Sequence, residues 1–562
     1  MTISFAGAKK RKVRHFRAVF RMDRQAETHQ QPAQSGLLSL VDELLLAILD
    51  QIDSKEALCN LAATCSRLQG LAEPYIWRSL LVTQGSHARH IAAALDGRDN
   101  RPSHIHELSI RYPDDQREGI EELNHFIGLM GKLRHLTIES PCPNNSEWTR
   151  NTYFDGSTRI NYRALLEASV YPRAGISPAL PMLQSLTLHG HGPDDRKFVF
   201  GRSAVMFFHP TLRHITLSCT NFDADITHAS IPTEKKRSTP LQSLTLIECN
   251  VNVKFLDVIL SLPKALKELD VGERLHVFPE CNPSYDPSTR TSHPLFIDAL
   301  ARQADSLERL SHISGNVAHI IRHRSAETSS GRLRDLSSLK FLELGMESVL
   351  WNHLERNDFP DSVETLKATD SAWTNSTPPT DLFLRHPSKV LRRCTDIVRR
   401  MGRAVDLDVR FTNGDCEQIL TTIPTGNLAV ILPAILGGPV RAPVYKLATE
   451  LKSRGSRLRL FVNKFSTDRT FIPPFMYGEE VPKEVQFYDS DDFWRLGGTN
   501  YRVMDDEGFQ AEVQKKPRLV CVECQKSGRE CLNGGDGSIC IYCENGNGEC
   551  VYDESESELM SI

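Results

Sequence analysis

The chain reads as an α/β protein. It has a helical module near the N-terminus, a long solenoid of strand–helix units, and a small cysteine-rich module near the C-terminus. Three observations carry that reading. The stretch from Leu37 to Val82 is leucine-rich with helical periodicity. A phrase of the form L-x-x-L-x-L returns eight times between residues 105 and 368. Six of the 14 cysteines crowd into the last 42 residues.

The totals bound what such a chain can be. At 562 residues it exceeds the roughly 250–300 that one core supports, so several domains are expected. A net charge of −4 and a charged fraction of 25 % fit a soluble globular protein without the overall basicity that nucleic acid selects. No window reaches the ~18 apolar residues of a membrane span. The nearest, NLAVILPAILGG from Asn427, is broken by Pro433. No secretory apolar region opens the chain, so the cysteines are expected as reduced thiols, the eight scattered ones mostly filling core space. The expected location is the nucleus, the cytoplasm or both, away from membranes.

Residues 1–35 form a basic leader, expected to be disordered. Lys9, Lys10, Arg11 and Lys12 begin the run KKRKVR, and with Arg14, Arg17, Arg21 and Arg24 they face one acid, Asp23. Closely spaced cations of this kind suit the acidic grooves of nuclear import carriers. An Arg-rich mitochondrial presequence is the alternative, and the packed lysines favour import.

Residues 36–82 follow. Leu44, Leu45, Ile48, Leu49 and Ile52 give a first helix with a wide apolar face. Asp53 and Ser54 stop it and can cap a second helix bearing Leu58, Leu61, Ala62 and Cys65 on one stripe. Ser66 can cap a third, with Leu68 and Leu71, whose length Pro74 limits. Tyr75, Ile76, Trp77 and Leu80 close the unit. A module of roughly 45 residues cannot bury both faces of its first helix, so part of that surface is expected to meet a partner. The order of Leu40, Glu43, Leu44, Leu45, Ile48, Leu49, Leu58, Cys65, Leu68, Leu71 and Trp77 resembles the F-box, with Val41 where that family prefers proline. The resemblance implies docking on a Skp-type adaptor, which links the chain to a cullin ubiquitin ligase, and makes these residues the adaptor-binding set.

Residues 83–495 carry the repeated phrase, after a helical stretch at His87 to Leu95. Its copies are Ile105/Leu108/Ile110, Leu133/Leu136/Ile138, Leu183/Leu186/Leu188, Leu212/Ile215/Leu217, Leu241/Leu244/Leu246, Leu266/Leu269/Val271, Leu339/Leu342/Leu344 and Val363/Leu366/Ala368. A degraded copy, Leu307/Leu310, divides the longest interval. The phrase specifies a short strand with alternate residues turned inward, followed by a turn and a covering helix. Phe255, Val258, Ile259 and Leu262 form one such helical stripe, and Ile120, Leu123, Ile127 and Met130 another. The region resembles irregular leucine-rich repeats, as found with F-boxes, and implies a surface that selects a protein substrate. From residue 375 the pattern blurs. Val405/Leu407/Val409, the stripe Val444/Leu447/Ala448/Leu451, and Leu458/Leu460/Val462 read as late, divergent units. Residues 275–294 and 322–335 read as exposed insertions.

Residues 515–552 hold Cys521, Cys524, Cys531, Cys540, Cys543 and Cys550, spaced C-x2-C-x6-C-x8-C-x2-C-x6-C, ahead of an acidic tail at 553–562. Each C-x2-C pair can place two thiolates on one metal, and zinc accepts four sulfurs tetrahedrally. Six thiolates complete two such spheres if two sulfurs bridge. The spacing resembles the fungal-type binuclear zinc cluster, so two zinc ions are expected. A RING module is disfavoured, since no histidine follows Lys515. DNA readers of the cluster family fill the first six-residue gap with several cations. Here it is QKSGRE, with only Lys526 and Arg529. From Lys515 to Glu558 five basic residues face nine acids, giving −4, and the charge of a loaded cluster would add −2. Phosphate binding needs the opposite sign, so no specific nucleic acid is expected.

No catalytic motif of the GxxxxGK[ST], HExxH or G-x-S-x-G kind occurs. The sequence therefore points to a non-enzymatic substrate receptor of a Skp–cullin–F-box ubiquitin ligase. The alternatives are a zinc-cluster transcription regulator and a repeat scaffold with no ligase link. The metal expectation is directly checkable. Full-length protein purified under reducing conditions should carry two zinc ions by elemental analysis and lose protection of residues 515–552 in chelator. One zinc per chain, or three disulfides, would count against a bridged cluster.

Overall fold

The computed structural model describes residues 36–112, 116, 118–140, 159–190, 198–273, 290–291, 293–313, 331–345, 348–369, 387–411, 441–464 and 483–491. The chain divides into two compact units, with the boundary after Tyr75.

The first unit is helical. Helix α1 spans Asp42–Leu49, α2 spans Lys55–Ala62, and α3 begins at Ser66 and ends at Trp77. Ser54 caps α2 as its residue type predicts, its hydroxyl accepting from the backbone N–H of Ala57 at 3.3 Å. Val41 precedes α1 without a capping side chain. Pro74, expected to limit the length of the third helix, does not break it, because α3 continues through it and ends three residues later at Trp77. Proline removes one backbone donor and crowds the carbonyl four residues back. That residue is Gly70, whose Cα faces open space, so the turn has room to adjust.

The second unit is built on a large, mainly parallel sheet with α/β character. Its strands are β1 (Ser79–Val82), β2 (Glu107–Arg111), β3 (His135–Ser140), β4 (Ser185–Gly190), β5 (Phe198–Val199), β6 (His214–Ser218), β7 (Thr220–Phe222), β8 (Ser243–Val251), β9 (Glu268–Glu273), β10 (Arg309–Ile313), β11 (Phe341–Gly345), β12 (Thr365–Thr369), β13 (Asp406–Phe411), β14 (Leu458–Lys464) and β15 (Lys483–Asp489). Neighbours in space follow chain order, β5 and β7 forming a short side ladder against the end of β8. Among the described residues every pairing is parallel except the last, where β15 runs antiparallel to β14.

Register explains why the phrase repeats. Leu80 lies beside Leu108, and the row continues through Leu136, Leu186, Ile215, Leu244, Leu269, Leu310, Leu342, Leu366 and Leu407 to Leu458. A second row runs from Val82 through Ile110, Ile138, Leu188, Leu217, Leu246 and Val271 to Leu460. Apart from Leu80, which is partly buried against its edge, both rows are buried in one continuous core, together with the first residue of each phrase. Covering helices supply the other side. Val253–Leu260 buries Phe255, Val258 and Ile259, and Arg441–Lys452 buries Val444, Leu447, Ala448 and Leu451. Phe200, Phe207, Phe222 and Phe255 stack with neighbouring centroids 4.8–6.0 Å apart. Cys249 is buried, its thiol directed at the carbonyls of Leu217 and Ile247. Cys394 is also core, and burial pushes its thiol up to about 12. Cys59, by contrast, is exposed.

Strand β10, the degraded copy, pairs fully with β9 and β11. Its defect is His312, which occupies the second buried row where an aliphatic residue is expected. The fold accommodates it with a buried polar chain. Thr291 Oγ1 donates to Glu273 at 2.7 Å, so His312 Nε2–H donates to Thr291 at 2.9 Å, and His312 Nδ1 accepts from Ser348 at 2.7 Å. Arg290 pairs with Glu273 at 3.3 Å, both side chains being buried. The reading of 275–294 as an exposed insertion is thereby corrected at Arg290 and Thr291, because the buried Glu273 carboxylate requires both. The reading of 322–335 is corrected at Leu333, which is fully buried in a short helical turn.

His312 and His209 are both buried, and burial holds each down to about 4. The unfolded chain takes up these protons below about 6.5, the folded chain only below about 4. Stability from these two groups is therefore present above 6.5 and lost as pH falls toward 4. Asp270, pushed up to about 6, acts in the opposite sense over an overlapping window. The readout is thus the difference between wild type and a His312→Gln variant in melting temperature. The wild type should lose more stability on acidification, and parallel curves would contradict the assignment.

Candidate functional site

In the helical unit the alternation between buried and exposed leucines decides what can be offered to a partner. Leu45 is 1 % exposed, and Leu49, Leu58 and Leu68 are also buried. Val41, Leu44 and Ile48 are 58 %, 51 % and 40 % exposed. They fall at i, i+3 and i+7, so they share one helical face, which the exposed Leu37 and Leu38 extend. Five large exposed apolar side chains within twelve residues form a patch that a free surface rarely carries.

Arg67 on α3 fixes the approach to that face. Its guanidinium donates to Asp42 Oδ1 at 2.9 and 2.7 Å, and to the carbonyls of Leu38 and Leu40 at 2.6 and 2.7 Å. It thus ties the segment before α1 to α3 through donated hydrogen bonds, which hold that segment in place, while the first N–H groups of α1 have no capping side chain at Val41. Tyr75 adds a hydroxyl bond to the Leu46 carbonyl at 3.3 Å. Tyr75 was expected only as an apolar closing residue and Arg67 was not singled out from the sequence, since a lone arginine among polar helix positions gives no signal of its partners.

Residues 40–83 match the F-box-like family. Comparison with the curated proteins finds no match. F-box-like domains bind Skp-type adaptors in cullin ligases, which suggests a role in substrate recognition for such a ligase and fits a non-catalytic adaptor module. The exposed row Val41, Leu44 and Ile48 lies on the F-box-like unit. Leu40 is partly buried and Glu43 exposed, while Cys65 is intermediate. Trp77 belongs to the second unit, where it packs against the sheet core with Arg101 stacked 5.1 Å from its ring. The structure therefore gathers Leu44 and Ile48 at the surface, keeps Leu45, Leu49, Leu58 and Leu68 inside, and places Trp77 with the sheet.

The sheet face opposite the leucine rows changes character along its length. Over β2–β8 its central row is Ser109, Thr137, Thr187, Thr216 and Thr245, all partly exposed. From β9 onward it is Asp270, Ser311, Glu343, Lys367, Asp408 and Arg459. These charges are paired. Glu343 meets Arg410 at 3.1 Å and Lys367 at 3.8 Å; Glu484 meets Lys367 at 2.6 Å; Asp408 meets Arg459 at 2.7 Å. Asp270, hemmed in by burial and facing Glu343, holds its proton up to about 6. Among the described residues no group of three or more His, Cys, Asp or Glu side chains could hold a metal, and no helix is long and apolar enough to cross a membrane. The six clustered cysteines and Lys9, Lys10, Arg11 and Lys12 lie outside the described residues.

Burial separates two kinds of substitution on α1. Leu44→Asp with Ile48→Asp should leave the melting curve of the chain unchanged and abolish capture by a Skp-type adaptor, since each anchor stands to bury about 1.5–3 kcal/mol of apolar surface. Leu45→Asp should instead unfold the helical unit, by about 4 kcal/mol or more for a charge forced into a core position. Circular dichroism alongside adaptor pulldown distinguishes them, and adaptor binding by the double surface variant would remove this face from consideration.

Proposed function

We propose that the protein is the substrate-recognition subunit of a Skp–cullin–F-box ubiquitin ligase. The single observation that carries the reading is the exposed apolar row of α1 on a unit that matches the F-box-like family. In this reading the row enters a complementary groove on a Skp-type adaptor, Arg67 holds the approach segment in place, and cullin and ubiquitin-transfer components follow through that adaptor. The second unit is read as an irregular leucine-rich-repeat solenoid that selects the substrate. Its support is the one-strand-per-phrase register and the variable residues displayed opposite the leucine rows. The six-cysteine segment is read as a zinc-stapled module with a structural or protein-binding role, and the basic leader as a nuclear import signal. The chain contributes no catalytic group and supplies geometry, bringing a substrate lysine within reach of a transferring enzyme.

The test is reconstitution. Full-length protein co-expressed with a Skp-type adaptor and a cullin should purify as a stoichiometric complex, and a chain lacking residues 36–75 should not. Absence of adaptor from the wild-type preparation would overturn the receptor reading in favour of a scaffold with no ligase link.

A further inference from the structure

The residues that immediately precede successive strands form a row of their own. The backbone N–H of His106 donates to the carbonyl of Arg78, Arg134 to His106, Gln184 to Arg134, Arg213 to Gln184, Gln242 to Arg213 and Lys267 to Gln242, each at 2.8 Å. The row continues through Glu308, Lys340 and Glu364. Its composition is ordered. Up to Lys267 an arginine or lysine occupies every second position, with histidine or glutamine between. Beyond Lys267 the signs alternate, and the charges neutralise one another. Lys267 meets Glu308 at 2.5 Å, and Lys340 meets Glu308 at 3.4 Å.

Arg78, Arg134 and Arg213 differ. All three are exposed, and among the described residues none has an acidic partner. Exposed Lys132 adds a fourth charge beside Arg134. His106, between the first two arginines, senses the field. Burial, then Arg134, Arg78 and Lys132, hold its pKa below the usual histidine value, against the opposing charge of Glu107. On β11 to β14 charged side chains are matched across strands, as Glu343 is with Arg410 and Asp408 with Arg459. The contrast isolates these rungs as a basic surface with no acidic counter-charge among the described residues.

We propose that Arg78, Arg134 and Arg213 form a docking row for an acidic polypeptide segment, with carboxylate or phosphate groups facing the guanidinium groups. Spacing selects the ligand class. Alternate strands stand about 10 Å apart, so the three arginines span roughly 19 Å. An extended peptide covers about 10 Å in three residues, so acids at every third position meet the row in register. A duplex offers a phosphate every ~3.4 Å per strand and rewards denser cations than these. The chain's net charge of −4 opposes nucleic acid further. Arginine suits the task because its planar fork binds carboxylate or phosphate through two hydrogen bonds. The role of the captured segment as a substrate rests on the receptor reading, but its capture does not.

The experiment uses the full-length chain and a fluorescein-labelled peptide of about twelve residues, long enough to span the row, with glutamate or phosphoserine at every third position. Fluorescence anisotropy at low salt should show binding that weakens as salt rises. A counterpart with glutamine or serine at those positions should not bind. Arg134→Glu with Arg213→Glu should weaken binding by about ten-fold or more with an unchanged melting curve, and Arg134→Lys with Arg213→Lys should retain most of it. If the reversal variant fails to fold, Arg78→Gln with Arg213→Gln provides the same reading. Equal binding of acidic and neutral peptides, or undiminished binding by a folded variant, overturns the proposal. Tighter binding of a single-stranded oligonucleotide of equal charge also overturns it, moving the row to another ligand class. Adaptor capture is scored separately, so its loss would sink the receptor reading and leave this result intact.

Discussion

Everything in the second unit depends on register. A single strand with its helix has too little interior to bury its own leucines, and it becomes stable only when the next strand sets leucine beside leucine. The row from Leu80 to Leu458 is the result, with the backbone ladder holding each side chain one strand spacing from the last. A slip of one residue would turn every leucine to the opposite face at once. This constraint leaves the opposite face and the strand-start edge free to vary, and the recognisable chemistry of the unit is confined there.

The same constraint explains how the core deals with an intruder. At His312 the row is polar, and the neighbouring structure reorganises around it rather than excluding it. Ser348, Thr291 and Glu273 complete a hydrogen-bonded chain, and Arg290 balances the carboxylate. Removing one member would leave buried groups unmatched, so the cluster holds together as a set. It also pins one end of a long connection to the core. Asp257 does a comparable job among the helices, where His228 and Arg302 reach one carboxylate from two sides at 2.6 and 2.7 Å and keep its pKa low despite burial.

The strand phrases were legible because the spacing within each is rigid, and β2, β3, β4, β6 and β8 to β14 fall where the leucines put them, while the short β5 and β7 carry no phrase and gave no signal. The first rung was not. Trp77, Leu80 and Val82 have the spacing of the phrase, but they adjoin a helical module and a tryptophan replaces the first leucine, so they read as its closing residues. The late rungs kept their inward residues while their connections diverged, which blurred the repeat without removing it. β15 carries no phrase; it pairs antiparallel with β14, and its Glu484 reaches Lys367 on β12. On α1 the sequence located the right helix but not the division of labour within it. Leu44 and Leu45 are adjacent and chemically identical, and only the placement of α3 decides which one is inside.

That last strand has a consequence for how such a sheet could change over generations. A ladder of parallel units can be lengthened by duplicating one of them, provided the new copy meets neighbours of the same polarity and presents its leucines in step. Between β2 and β14 any gap satisfies that condition. Beyond β15 none does, because an added unit would lie against a strand of reversed direction, in which Tyr488 rather than a leucine is the register partner of Leu460. A copied unit at this end would therefore meet a neighbour of opposite polarity, whereas one placed between two of the parallel strands would not. The reversed strand thus closes the series of like neighbours at which a copied unit would keep its leucines in step.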